Sequence, residues 1–185
     1  MKIQLDEGNI AEIKTDVILI RAFEDEAHLD EPGVQIDIAL DGYISQLIDD
    51  GEITGRKGEI TLLHTMGRIP TERIVIVGFG KISTLNTDVF RSNSAEVARF
   101  LNRKKLKNGA STLYSNEDIG ISYSDSVQAV TEGTLLGLYK FLKRKGNRND
   151  NSDEDKNDEF GELTLIHDLG KEGAEVRTAA EEAIT

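Results

Sequence analysis

The chain has 185 residues, with 22 lysines and arginines against 34 aspartates and glutamates, for a formal net charge of -12. An acidic surface without a basic stripe is poorly equipped to neutralise phosphates, so no nucleic-acid partner is expected. The absence of cysteine excludes disulfides, thiolate catalysis and zinc-thiolate sites.

No apolar run approaches the ~20 residues of a membrane span. Met1-Lys2 leads directly into a strand-like alternation and not into the apolar segment of a signal peptide, so the cytoplasm is the expected compartment. Ile3 and Leu5 alternate with polar neighbours, as in a half-buried edge strand. Val17 to Ile20 is continuously apolar, the pattern of a strand covered on both faces. Pro32, within Glu31-Pro32-Gly33, suits the first turn of a helix. Ile36, Leu40, Tyr43, Ile44, Leu47 and Ile48 then fall on one helical face, and Gly51 is placed to cap the end in the left-handed conformation.

Glu59 to Thr65 alternates and favours a strand, and Arg73 to Val77 reads as the most buried strand of all. After Gly78-Phe79-Gly80, Asn86 or Thr87 is positioned to cap a helix carrying Phe90, Val97, Ala98 and Leu101 inward. The basic cluster of Arg99, Arg103, Lys104, Lys105 and Lys107 reads as its solvated end. Asn108-Gly109 is expected to terminate that helix, with a short strand over Ala110 to Tyr114. Val127, Val130, Thr134, Leu138 and Phe141 mark a further helix, on which Gly133 and Gly137 lie one turn apart and allow close approach of a neighbour. Lys143 to Glu159 contains no apolar residue, which predicts a mobile acidic loop over residues 143–160. Its Asp and Asn density does not match the register of a calcium loop. Glu162 to Ile166 returns to strand, and Glu172 to Ile184 is helical in character, stopping at Thr185 as though cut. Alternating strands and helices of this kind predict a three-layer α/β/α domain with a mixed, mostly parallel sheet.

Candidate chemistry is sparse. His28, His64 and His167 are not clustered, and no His-Glu-x-x-His pattern exists. His64 and His167 both end strands, and strand ends of α/β sheets are where ligands bind. The serines lack a nucleophile elbow, and the carboxylates of Asp49-Asp50 and Glu24-Asp25-Glu26 sit in predicted turns. The Gly78-Phe79-Gly80 turn resembles part of a dinucleotide fingerprint, but Ser83 stands where the third glycine belongs, so a tight strand-to-helix turn is the plainer reading. No catalytic, cofactor-binding or metal-ligating residue is assigned.

Asp41 to His64 and Thr71 to Lys81 together resemble, in order and wording, the amino-terminal domain of the leucyl aminopeptidase (cytosol aminopeptidase) family. Gly8-Asn9-Ile10, Asp16 to Ile20, Phe23-Glu24 and Glu132 to Tyr139 support the likeness. The resemblance implies a macro-like domain over residues 1–170, and over 171–185 the start of a connector helix to a catalytic domain. It also implies a parent that is a metal-dependent exopeptidase, with two zinc or manganese ions in the carboxy-terminal domain and a hexameric assembly. None of those ligand motifs occurs here, so these residues are expected to be inactive alone and to serve as scaffold, interface or access control. The fold is similar to that of macro domains, which bind ADP-ribose, and this leaves an alternative: a free-standing module for a nucleotide or ADP-ribose-type ligand. Against it, Arg21-Ala22-Phe23-Glu24 and Asp30-Glu31-Pro32-Gly33-Val34 replace the macro-domain binding loops, and Asn9 replaces the acidic residue that contacts adenine.

Overall fold

The computed structural model describes residues 1–26, 29–139, 160–167 and 178. His28, Phe141, residues 143–159 of the predicted 143–160 loop and the segment from 171 onward, Thr178 apart, therefore lie outside the described residues. The chain runs β1 (Lys2–Glu7), β2 (Val17–Ala22), α1 (Glu31–Ala39), α2 (Tyr43–Asp49), β3 (Ile60–His64), β4 (Arg73–Gly78), α3 (Thr87–Arg103), β5 (Asn108–Thr112), α4 (Tyr123–Leu138) and β6 (Glu162–His167). The six strands form one sheet in the order β1-β6-β5-β2-β4-β3. Every neighbouring pair is parallel except β3 with β4.

Strand alternation divides the core in two, because successive side chains leave a strand on opposite faces. Val17, Val75, Val77, Leu163 and Leu165 pack with Phe90, Val97 and Leu101 of α3 and Val127 of α4. Ile18, Ile20, Ile74, Ile76 and Ile166 pack on the other face with Ile36 of α1, Leu40 just past its end and Ile44 of α2. The result is the three-layer α/β/α arrangement with a mixed, mostly parallel sheet.

The glycines of α4 work as the sequence suggests. A Cβ on Gly133 would lie 2.2 Å from the carbonyl oxygen of Arg91, and one on Gly137 would lie 2.4 Å from that of Ala95. Two successive turns of α3 thus rest on bare backbone. Arg91 reinforces the seam by donating to Glu132 across it at 2.8 Å, and it also pairs with Asp88. This contact holds the Glu132 carboxyl below, and the Arg91 guanidinium above, their ordinary pKa values.

Two expectations are corrected. The face running from Ile36 to Ile48 is not one helix. Asp41 and Gly42 adopt φ of 58° and 78° and break it. The buried carboxylate of Asp37 then reaches forward to accept from the amides of Ile44 and Ser45, at 2.7 and 3.2 Å, and from the Ser45 hydroxyl at 2.5 Å. The last turn of α1 thereby supplies the N-terminal cap of α2. Second, Asn108-Gly109 does not end α3. Lys105, at φ 56°, ends it, with the Leu106 amide donating to the Leu101 carbonyl in the manner of a Schellman closure. Asn108 and Gly109 instead open β5, where Gly109 meets the ring of Phe160 and the side chain of Val17.

Candidate functional site

The Gly78-Phe79-Gly80 turn follows β4 and leads through a short 3-10 turn (Ile82–Thr84) to α3. Its amides are committed: Gly78 donates to Glu59 O, Phe79 to Ala22 O and Gly80 to Gly55 O. The Ile82 amide donates to the Asp25 carboxylate at 3.0 Å, so the chain's own anion holds the position a phosphate would take. The carbonyl of Gly78 accepts from Asn93 at 3.0 Å. A Cβ on Gly78 would sit 2.0 Å from Arg56 O, and these glycines serve a backbone crossing. The tight-turn reading holds.

A cleft of about 290 Å³ opens instead at the C-terminal ends of β2, β5 and β6. Its floor carries Arg21, only 6% exposed. The guanidinium donates through Nε to Asp30 at 3.0 Å, through Nη1 to Thr112 O at 2.9 Å and through Nη2 to the Thr112 hydroxyl at 2.5 Å. It also lies 5.2 Å from the centre of the Tyr114 ring. Asp30 is bound from a second side, accepting from the Gly33 amide as the N-terminal cap of α1. Cation and carboxylate thus neutralise each other inside the fold.

His167, at the end of β6, lines the same cleft, is 5% exposed, and has no hydrogen-bond partner on either ring nitrogen among the described residues. His64, the other strand-end histidine, lies elsewhere. It is exposed and pairs in register with Arg73 at the start of β4, because β3 runs antiparallel. The two therefore stand at opposite ends of the sheet. Asn9 is occupied locally, its side chain accepting from the Ala11 amide at 2.9 Å. Sequence reading did not single out Gln35, Ser115 and Tyr123, which also line the cleft. They are far apart in the chain and belong to no motif, so only the folded arrangement brings them together. Among the described residues no three or more His, Asp or Glu side chains stand close enough to hold a metal ion, and no helix is long and apolar enough to cross a membrane.

A mixed sheet between two helical layers, with a cleft across the C-terminal strand ends, places the chain among macro-domain-like α/β proteins. A Trypanosoma brucei macrodomain in complex with ADP-ribose superposes with a TM-score of 0.70 at 11% identity, covering 99% of this chain and 69% of that one. At that identity the likeness speaks to the fold. Residues 19–147 match the N-terminal domain of the cytosol aminopeptidase family, and the chain belongs to that family. A probable cytosol aminopeptidase from Alkaliphilus oremlandii (strain OhILAs) is 33% identical over 168 residues, which is 91% of this chain and 32% of the relative. A tomato leucine aminopeptidase mutant superposes with a TM-score of 0.68 at 21% identity, covering 99% of this chain and 35% of that protein. The chain spans about a third of the length of the curated relatives it matches.

Proposed function

We propose that this chain is the non-catalytic amino-terminal domain of a metal-dependent leucyl aminopeptidase, working in the cytosol as scaffold and interface for the catalytic part. The observation that carries the reading is coverage. Nine-tenths of the chain aligns with only a third of an aminopeptidase relative, and the matched family segment is the N-terminal domain. In this reading the two divalent ions, zinc or manganese, and the metal-activated water that cleaves an amino-terminal peptide bond belong to the part of the parent that these residues do not match. Residues 1–170 form the domain, and 171–185 begin the connector toward that part. A homo-hexamer is the assembly this reading assigns to the parent. The nucleotide-binding alternative finds a cleft at the right end of the sheet, but one whose arginine is already committed to Asp30 and Thr112.

A graft tests the proposal. Replacing the matching amino-terminal third of the Alkaliphilus oremlandii relative with this chain is expected to preserve its oligomeric state and hydrolysis of a leucyl chromogenic amide with added manganese. The 185-residue chain by itself is expected to release no leucine. Steady turnover by the chain alone, or a graft that folds yet no longer assembles, overturns the reading.

A further inference from the structure

We propose that the cleft at the ends of β2, β5 and β6 binds a neutral, hydroxyl-bearing ligand of nucleoside size and discriminates against its phosphorylated forms. This goes beyond the aminopeptidase assignment and does not depend on it. The inference starts from His167. A buried polar group without a partner destabilises the folded state, and such groups are few in native proteins, so each one calls for an explanation. A neutral imidazole presents one donor and one acceptor, which suits a hydroxyl or a vicinal diol.

The surroundings define the rest of the ligand. The charged groups of the floor are spent on one another: Arg21 is held by Asp30 and Thr112, and Asp30 also caps α1. The uncommitted groups are neutral. Gln35 and Ser115 make no side-chain hydrogen bond among the described residues, and Tyr123 is a half-buried ring outside the aromatic cluster formed by Phe23, Phe79, Phe90 and Tyr114. A planar base can stack on such a ring. Among the described residues that line the cleft, the charge not paired within it is that of the exposed Glu31 on the rim.

The two helix starts that meet this cleft are also unavailable to anions. Asp30 accepts from the Gly33 amide at the start of α1. At the start of α4, Ser122 and Asp125 form a reciprocal capping box, which holds the Asp125 carboxyl below its ordinary pKa. Helix N-termini attract phosphate when their amides are free; here the Asp30 carboxylate takes the Gly33 amide, while at α4 the Ser122 hydroxyl takes the Asp125 amide and the Asp125 carboxylate accepts from the Ser122 amide. The volume, about 290 Å³, lies at the bottom of the range of about 300–1,000 Å³ usual for small-molecule pockets. That is room for a nucleoside and little for a dinucleotide. Because the His167 nitrogens are shielded from bulk water, engagement requires the ring to turn toward the ligand.

The test uses the 185-residue chain, titrated with adenosine, guanosine, uridine, cytidine, AMP and ADP-ribose, by calorimetry and by nitrogen NMR of the histidine side chains. At least one nucleoside is expected to saturate below about 1 mM and to move the His167 ring signals, with AMP and ADP-ribose at least about tenfold weaker. No saturable nucleoside binding, or phosphorylated forms binding as tightly, overturns the proposal. His167→Phe should raise Tm by removing the unpaired nitrogens and weaken binding by at least about tenfold, a loss equal to about 1.4 kcal/mol. A raised Tm with binding intact would make His167 a packing defect only and sink the idea. Should that variant fail to fold, Gln35→Ala decides: severalfold weaker binding at unchanged Tm supports the site, and unchanged binding overturns it.

Discussion

Two places in this domain stand at the C-terminal ends of parallel strands, and they use their polar groups in opposite ways. At Gly78-Phe79-Gly80 the three amides donate to carbonyls of the chain, and the Gly78 carbonyl accepts from Asn93. At the cleft the ions are paired, yet His167, Gln35 and Ser115 remain uncommitted among the described residues. The position at a strand end is common to both; the difference is in what neighbouring loops already satisfy. A glycine-rich turn is therefore a weaker sign of a ligand site than an unspent polar group.

The largest effect expected from breaking this contrast is at the closed turn. Gly78→Ala would place a methyl 2.0 Å from the Arg56 carbonyl oxygen, where only backbone can give way. A loss of about 3 kcal/mol or more is expected, read from urea unfolding. A loss below about 1 kcal/mol would mean that the crossing is slack and the turn less committed than its hydrogen bonds indicate.

Next comes the floor of the cleft. Arg21→Met leaves Asp30 and the Thr112 carbonyl without their cation, and removing one member of a buried pair costs about 3–5 kcal/mol. The double variant Arg21→Met, Asp30→Leu should recover part of that loss, since it leaves no lone charge, although the cap of α1 goes with it. If the single substitution is nearly neutral, the guanidinium is not the plug described, and a phosphate could compete for it.

The helical layer beside Ile18 and Ile20 gives a smaller effect. Asp37→Ala removes the acceptor for the Ile44 and Ser45 amides, and a lost N-terminal cap costs about 1–2 kcal/mol. Asp37→Asn should retain part of the stability by accepting one amide. Equal losses for the two variants would assign the role to charge alone.

These elements also mark how far the sequence could be read. Strands and layers follow from apolar period, and the spacing of Gly133 and Gly137 announced a close approach that α3 supplies. The break at Asp41-Gly42 was hidden because its cause is Asp37, a helical residue reaching forward to the next helix, while the apolar spacing continues unbroken across it. The end of α3 was misplaced because Asn108-Gly109 has the composition of a cap. A lysine in the left-handed region performs that function, and Gly109 lies in the strand close against the ring of Phe160. The strand-end positions of His64 and His167 were legible, but their separation depends on the antiparallel placement of β3. The departure at Arg21 was visible as a missing motif. Its pairing with Thr112, 91 residues away, belongs to tertiary structure alone.

The smallest effect concerns charges spent at the surface. Arg91 and Gln128 hold the Glu132 carboxyl below its ordinary pKa, and Ser122 does the same for Asp125. A depressed carboxyl binds fewer protons when folded than when unfolded. Its contribution is complete above the unfolded pKa and disappears as pH falls through the folded value. Asp125 is exposed and Glu132 only half-buried, so the loss should be modest and screened by salt. The urea midpoint of the wild type is expected to fall as pH drops below the ordinary carboxylate range. Glu132→Gln should start lower at neutral pH and decline less on acidification, with the gap between the two proteins narrowing in high salt. Parallel declines for both would show that the Arg91 contact contributes nothing to the seam, leaving Gly133 and Gly137 to hold α3 against α4 by packing alone.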